Sequence, residues 1–196
     1  MIRKFSLDYV FDFVNSYMLQ IVYGAVFVVI LSIGVVFYQK QQEKQINDYV
    51  VKYYEAVKLI DTDREKSIKI FDEVFGSVSD TNLKMIFGMR LAELQKSPDI
   101  YLKIFSMDSD NLFLRNLAGL NALSILVNQN ENEKVENLLT KLKRPDNPLF
   151  ILVSEQEGLF ELQRGNETKA KEIFTDILSQ DIDEFLRQRI DNLNIL

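Results

Sequence analysis

The chain has 196 residues and a formal net charge of −6, and it contains neither cysteine nor histidine. The missing residues exclude disulfide bonds, Ser-His-Asp or Cys-His catalysis, and most zinc sites. The acidic balance argues against nucleic-acid binding, which needs clustered Lys and Arg to neutralise phosphates. We therefore expect no enzymatic activity, no metal, no cofactor and no nucleic-acid partner.

Residues 13–39 form a run without a formal charge. As a helix, its core at 17–38 would be roughly 33 Å long, enough for a hydrocarbon layer of about 30 Å. We predict a transmembrane anchor at 17–39 that contacts membrane lipid and stays uncleaved, because no small-residue cleavage site follows it. Residues 1–16 predict either a short interfacial helix or an extension of the spanning helix. Basic residues are nearly balanced on the two sides, so the charges leave the orientation open.

Residues 40–196 predict a single all-α domain. The whole chain has only three prolines and seven glycines. Apolar residues recur at helical spacing, and no alternating strand pattern bounded by tight turns is present. Short polar segments rich in Asp, Asn and Ser separate the predicted helices.

Four similar segments lie within this domain, at 67–71, 101–105, 135–139 and 170–174, so their starts are 34, 34 and 35 residues apart. A 34-residue helix–turn–helix period is the tetratricopeptide signature. We predict repeats near 48–81, 82–115, 116–150 and 151–184, followed by a C-terminal cap helix at 182–196. The predicted fold is therefore an N-terminal transmembrane helix followed by a tetratricopeptide-like helical-hairpin solenoid.

The last repeat is the most regular of the four. Its predicted packing positions are Gly158, Gly165, Ala170 and Phe174. A small residue allows the two helices of a hairpin to approach closely, and Gly165 suits the turn between them. A fixed shift of 34 or 35 residues places Met89 and Leu123 at the positions equivalent to Gly158.

The anchor, its charged neck at 39–50, and the closing stretches 158–171 and 185–193 resemble the YfgM-like membrane-anchored tetratricopeptide proteins, ancillary subunits of the bacterial SecYEG translocon. The resemblance implies a single-pass protein of the bacterial inner membrane with a periplasmic repeat domain. Its implied partners are translocon components, chaperones or translocating chains. We expect a membrane-anchored interaction scaffold that assists protein translocation or chaperone handover; a cytoplasm-facing adaptor that recruits a soluble partner to the membrane is the alternative.

Tetratricopeptide arrays bind segments on the concave face, which is lined by the first helix of each pair. The predicted partner-binding residues on that face are Lys52, Tyr53, Arg90, Glu93, Asn121, Asn128, Glu155 and Gln163. Arg90 and Tyr53 are favoured because Arg and Tyr are common interface anchors. Ordinary solvated or capping roles remain the alternative for each residue.

Three aspartate pairs could suggest metal binding. They are Asp61 and Asp63, Asp108 and Asp110, and Asp181 and Asp183. Because each pair falls at a predicted helix boundary, we interpret them as helix caps.

Overall fold

The computed structural model describes residues 32, 37, 39–41 and 43–193. The chain divides into two compact units, Met1–Lys52 and Tyr53–Leu196. In the first unit, every described residue is helical. The second unit opens with helical residues 53–59, labelled α1.

Eight further helices follow in the second unit, and no strand occurs in the described residues. They are α2 (Arg64–Ser77), α3 (Thr81–Gln95), α4 (Pro98–Phe105), α5 (Leu112–Asn128), α6 (Asn132–Leu142), α7 (Phe150–Gln163), α8 (Glu167–Leu178) and α9 (Glu184–Asp191).

The predicted membrane anchor requires a correction. Among residues 32, 37, 39–41 and 43–193, no helix is long and apolar enough to cross a membrane. The longest helix after α1, α5, has 17 residues and is about 26 Å long, short of the roughly 30 Å required. The prediction of a transmembrane helix, and with it of a single-pass inner-membrane protein, is corrected on this finding. The predicted segments 1–16 and 17–39 lie outside the described residues, apart from 32, 37 and 39.

Several helices begin at the polar segments expected from the sequence. Asp63 and Asp183 each accept a hydrogen bond from the backbone N–H three residues later, at 3.1 and 2.8 Å. These bonds satisfy donors that have no partner within the first helical turn. The capping interpretation is confirmed for these two residues, whereas α5 uses Asn111 as its cap instead of the aspartates before it.

Successive helices from α2 to α8 pack against one another, and α5 also packs against both α3 and α7. The even-numbered helices begin at Arg64, Pro98, Asn132 and Glu167, which are 34, 34 and 35 residues apart. The odd-numbered helices α3, α5 and α7 begin at Thr81, Leu112 and Phe150, which are 31 and 38 residues apart. The period is therefore regular in the even helices and irregular in the odd ones.

A buried glycine lies near the middle of each of α3, α5 and α7. A Cβ added to Gly88 would lie 2.5 Å from the Phe75 ring, and one added to Gly158 would lie 2.5 Å from the Phe174 ring. At Gly119 the same atom would lie 2.9 Å from side chains of both α4 and α6. Each glycine therefore allows an odd helix to contact large side chains of its even neighbours.

These glycines correct the predicted alignment of the hairpins. Gly88 and Gly119 are each the eighth residue of their helix, and Gly158 is the ninth. They occupy the position that the fixed shift assigned to Met89 and Leu123, so that assignment is wrong. The reason is the variable length of the connections that precede α5 and α7.

The remaining predicted packing positions lie in the last hairpin. Ala170 and Phe174 are fully buried in a core shared with Ile177, Leu186 and Ile190. Gly165 has a φ of 78° in the turn between α7 and α8, a conformation that favours glycine.

Candidate partner-binding surface

The predicted residues Arg90 and Glu93 form an ion pair on α3. The Nε atom of Arg90 is buried and has no hydrogen-bond partner among the described residues. Burial raises the pKa of the nearby Tyr101 hydroxyl, and the charge of Glu93 raises it further, against the opposing effect of Arg90. The pair therefore lies partly within the α3–α4 contact.

Tyr53 belongs to an aromatic cluster with Phe71 and Phe87. Its ring centroid lies 5.7 Å from that of Phe71 and 5.4 Å from that of Phe87, both in edge-on geometry. Edge-to-face pairs of this kind stabilise a core beyond their buried area. Tyr53 therefore contributes to packing of the second unit, while Lys52 lies in the first unit and is half-buried.

Glu155 is buried on α7 with 4% of its surface exposed. Its Oε2 accepts a hydrogen bond from Nη2 of Arg189 on α9, at 2.5 Å. Burial raises the pKa of the Glu155 carboxyl, and the hydrogen bond and charge of Arg189 only partly oppose this. Glu155 therefore attaches α9 to α7.

The three predicted amide residues lie at different depths. The Asn128 amide donates to the backbone carbonyl of Ser124 at 2.8 Å. Gln163 donates to the side-chain oxygen of Asn130 at 2.9 Å, which connects the end of α7 to the α5–α6 turn. Asn121 is half-buried on α5. Both bonded amides thus stabilise helix ends.

A different set of residues forms a continuous partly exposed surface. In α3, α5 and α7 the buried glycine marks the face that contacts even helices. At about 100° per residue, the positions six and two before the glycine, and one and five after it, cluster roughly 100–160° around the helix from it. These twelve residues, which we call the odd-helix strip, are Asn82, Ile86, Met89, Glu93, Phe113, Leu117, Leu120, Ser124, Leu152, Gln156, Leu159 and Gln163.

None of the twelve residues of the odd-helix strip is buried, and seven of them are apolar. Ile86 is 40% exposed and Phe113 is 51% exposed. Glu93 is the one formal charge among the twelve, and it is shared with the predicted set, as is Gln163. Because α5 packs against both α3 and α7, the three parts of the strip lie side by side.

The odd-helix strip could have been found from the sequence only by aligning the odd helices on their glycines. With the fixed 34-residue shift, Arg90 and Asn121 appeared to line the surface. On the helix they lie about 200° from Gly88 and Gly119, beyond the edge of the strip.

Within the described part of the chain, no group of three or more acidic side chains could hold a metal ion. Comparison of the chain with protein-family models, curated proteins and solved structures finds no match in any of the three. The resemblance to the YfgM-like proteins, the partners that it implies and the lack of enzymatic activity therefore stay predictions.

Proposed function

We propose that the second unit is a protein-interaction scaffold whose odd-helix strip binds an amphipathic segment of a partner protein. The observation that carries this proposal is the apolar character of partly exposed residues on three adjacent helices. Apolar side chains left in water at this density are typical of interaction surfaces. Burying them against a partner releases free energy of about 25 cal/mol per Å² of apolar area.

The size of the odd-helix strip suits a short helical or extended segment. Adjacent packed helices lie about 8–10 Å apart, so α3, α5 and α7 together present a surface roughly 20 Å across. A helix of about 13 residues has this length. Such a segment would place one apolar face, repeated every three or four residues, against the strip.

The charge balance favours a partner with basic flanks. The second unit contains 25 acidic and 18 basic residues and thus carries a net charge of −7. Opposite charge on the partner steers the encounter and suppresses binding of acidic segments. We therefore propose an amphipathic segment with apolar residues on one face and Lys or Arg around them.

Fluorescence anisotropy of a labelled amphipathic leucine–lysine peptide, titrated with the full chain, tests the proposal. Phe113→Asp should weaken binding by about tenfold or more, since it removes apolar area and introduces a buried charge in the complex. Phe185→Asp is the matched control: Phe185 is 72% exposed on α9, outside the odd-helix strip, and its substitution should leave the affinity unchanged.

A scrambled peptide of the same composition without an apolar face measures the contribution of charge alone. Equal affinity for the scrambled and amphipathic peptides would contradict the proposal, because net charge would then account for binding. An equal loss with Phe113→Asp and Phe185→Asp would also contradict it. Circular dichroism should show that both variants keep the helical content of the parent.

A further inference from the structure

A cavity at the junction of α4, α5, α6 and the α6–α7 connection is lined by three basic side chains. They are Arg115, Lys141 and Arg144, and the cavity has an empty volume of about 470 Å³ including its mouth. A shallower hollow beside it is lined by the same three cations. This concentration of positive charge stands out in a chain with a net charge of −6.

The guanidinium group of Arg115 is held in place by the protein backbone. Its Nε donates to the carbonyl of Phe105 at 3.3 Å, and its Nη1 donates to the carbonyl of Ser109 at 3.4 Å. Both acceptors belong to the end of α4 and the following connection. The group is therefore oriented before any ligand arrives, which lowers the entropy cost of binding.

The single acidic side chain of the cavity is already neutralised. Asp146 accepts two hydrogen bonds from Arg144, at 3.1 and 2.7 Å. The neighbouring Asn147 is buried and fixes the connection, donating to the Leu142 carbonyl at 2.8 Å and accepting from the Leu149 N–H at 2.9 Å. The rigid connection keeps the Arg144–Asp146 pair at the edge of the cavity.

Lys141 is exposed on α6 and forms no ion pair among the described residues. With Asp146 cancelling one of the three cations, the cavity keeps a net charge of +2. Apolar walls lie beside this charge, since Phe105 and Leu112 also line the cavity, and Leu112 is 52% exposed. The site thus combines cationic donors with an open apolar surface.

We propose that this cavity binds a carboxylate group attached to an apolar side chain, as found in a free apolar organic acid or at the C-terminus of a polypeptide. Arg115 and Lys141 supply charge-assisted hydrogen bonds to the carboxylate oxygens. Phe105 and Leu112 contact the apolar group. The carboxylate of Asp146 in the same cavity disfavours a doubly charged phosphate relative to a singly charged carboxylate.

The site shares no residue with the odd-helix strip, so it does not depend on the proposed scaffold function. Isothermal titration of the full chain with N-acetyl-leucine and with N-acetyl-leucinamide isolates the carboxylate, because the two probes share the same apolar group. The acid should bind at least about tenfold more tightly than the amide, a difference of about 1.4 kcal/mol. Equal affinity for the two probes would overturn the proposal.

Two further probes identify the source of the carboxylate and the anion preference. A short peptide that ends in leucine with a free carboxylate should bind more tightly than N-acetyl-leucine if polypeptide C-termini are the ligands, and no more tightly if free acids are. Both results support the site. Inorganic phosphate should bind more weakly than the acid, and tighter phosphate binding would refute the carboxylate assignment.

Lys141→Gln should weaken binding of N-acetyl-leucine by about fivefold or more, because it removes a cation and keeps a donor. Lys171→Gln is the matched control, since Lys171 is exposed on α8, away from the cavity. Unchanged affinity in Lys141→Gln, or an equal loss in both variants, would contradict the assignment. Because both lysines are exposed, neither substitution should alter the helical content measured by circular dichroism.

Discussion

The two ends of the second unit use the same hairpin arrangement but are stabilised by different interactions. At the α1–α3 end, the rings of Tyr53, Phe71 and Phe87 lie within 5.4 to 5.8 Å of one another. At the α6–α9 end, ion pairs connect helices and their connections. They are Lys143–Glu157, Arg164–Glu136, Lys169–Glu161 and Arg189–Glu155, at 2.5 to 2.6 Å.

This difference explains how the hairpins can keep one spacing with little sequence in common. Close packing requires a small residue at the crossing and any well-packed neighbours around it. Aromatic rings fill that space at one end, and paired charges surround it at the other. Only the glycine on each of α3, α5 and α7 is shared.

Phe87→Ala should produce the largest effect and should test the apolar end. Removing a fully buried ring typically destabilises a protein by about 3–5 kcal/mol, and Phe87 is 1% exposed. Urea unfolding followed by circular dichroism should show this loss with little dependence on salt. Phe185→Ala at an exposed position should cost less than about 0.5 kcal/mol. A small loss in Phe87→Ala would show that the aromatic cluster does not stabilise this end.

Lys169→Ala should produce an intermediate effect at the ionic end. Its Nζ contacts Oε1 of Glu161, whose side chain is only 5% exposed. The substitution leaves that carboxylate buried with Asn166 as its remaining donor, which should cost about 1–3 kcal/mol. Lys169→Ala combined with Glu161→Gln should recover part of the loss. Full additivity in this double-mutant cycle would show that the pair does not interact.

Titration of two glutamates on α7 should produce the smallest effect and should separate two kinds of buried carboxylate. Burial raises the pKa of Glu155 despite Arg189. Burial also acts to raise the pKa of Glu161, but hydrogen bonds from Lys169 and Asn166 outweigh it and lower the pKa. The two carboxyls therefore contribute to stability in opposite pH ranges.

For Glu155, the stabilising contribution is fully present below its ordinary pKa and is lost as the pH rises through its raised folded value. For Glu161, the contribution is present above its ordinary pKa and is lost as the pH falls through its lowered folded value. The free energy of unfolding, compared between the parent and Glu155→Gln or Glu161→Gln from pH 7 downward, should therefore change in opposite directions. Parallel changes would contradict the opposed environments.

The even helices could be predicted from the sequence because their spacing is constant and their buried residues recur. Ser67, Tyr101, Val135 and Ala170, which start the four similar segments, are all buried. The odd helices could not be placed by the same shift, because the connections before α5 and α7 differ in length. The glycines that mark their register were visible in the sequence but were not aligned.

The basic cavity had no signal in the sequence. Arg115 lies 26 residues before Lys141, on a different helix, and Arg144 follows the end of α6. Only the packing of α5 against α4 and α6 brings these side chains to one cavity. Glu155, by contrast, was selected by its position on α7, but its burial against Arg189 depends on where α9 folds back.

The principal helix contacts join elements no more than two places apart in the chain. Such a chain has low contact order, so its hairpins can form early from local contacts without a long search. Stability in a stack of this kind is a sum of neighbouring interfaces, and opening can begin at an end and advance one hairpin at a time. Loss of the terminal helix would therefore expose the next interface while the interior hairpins stay folded.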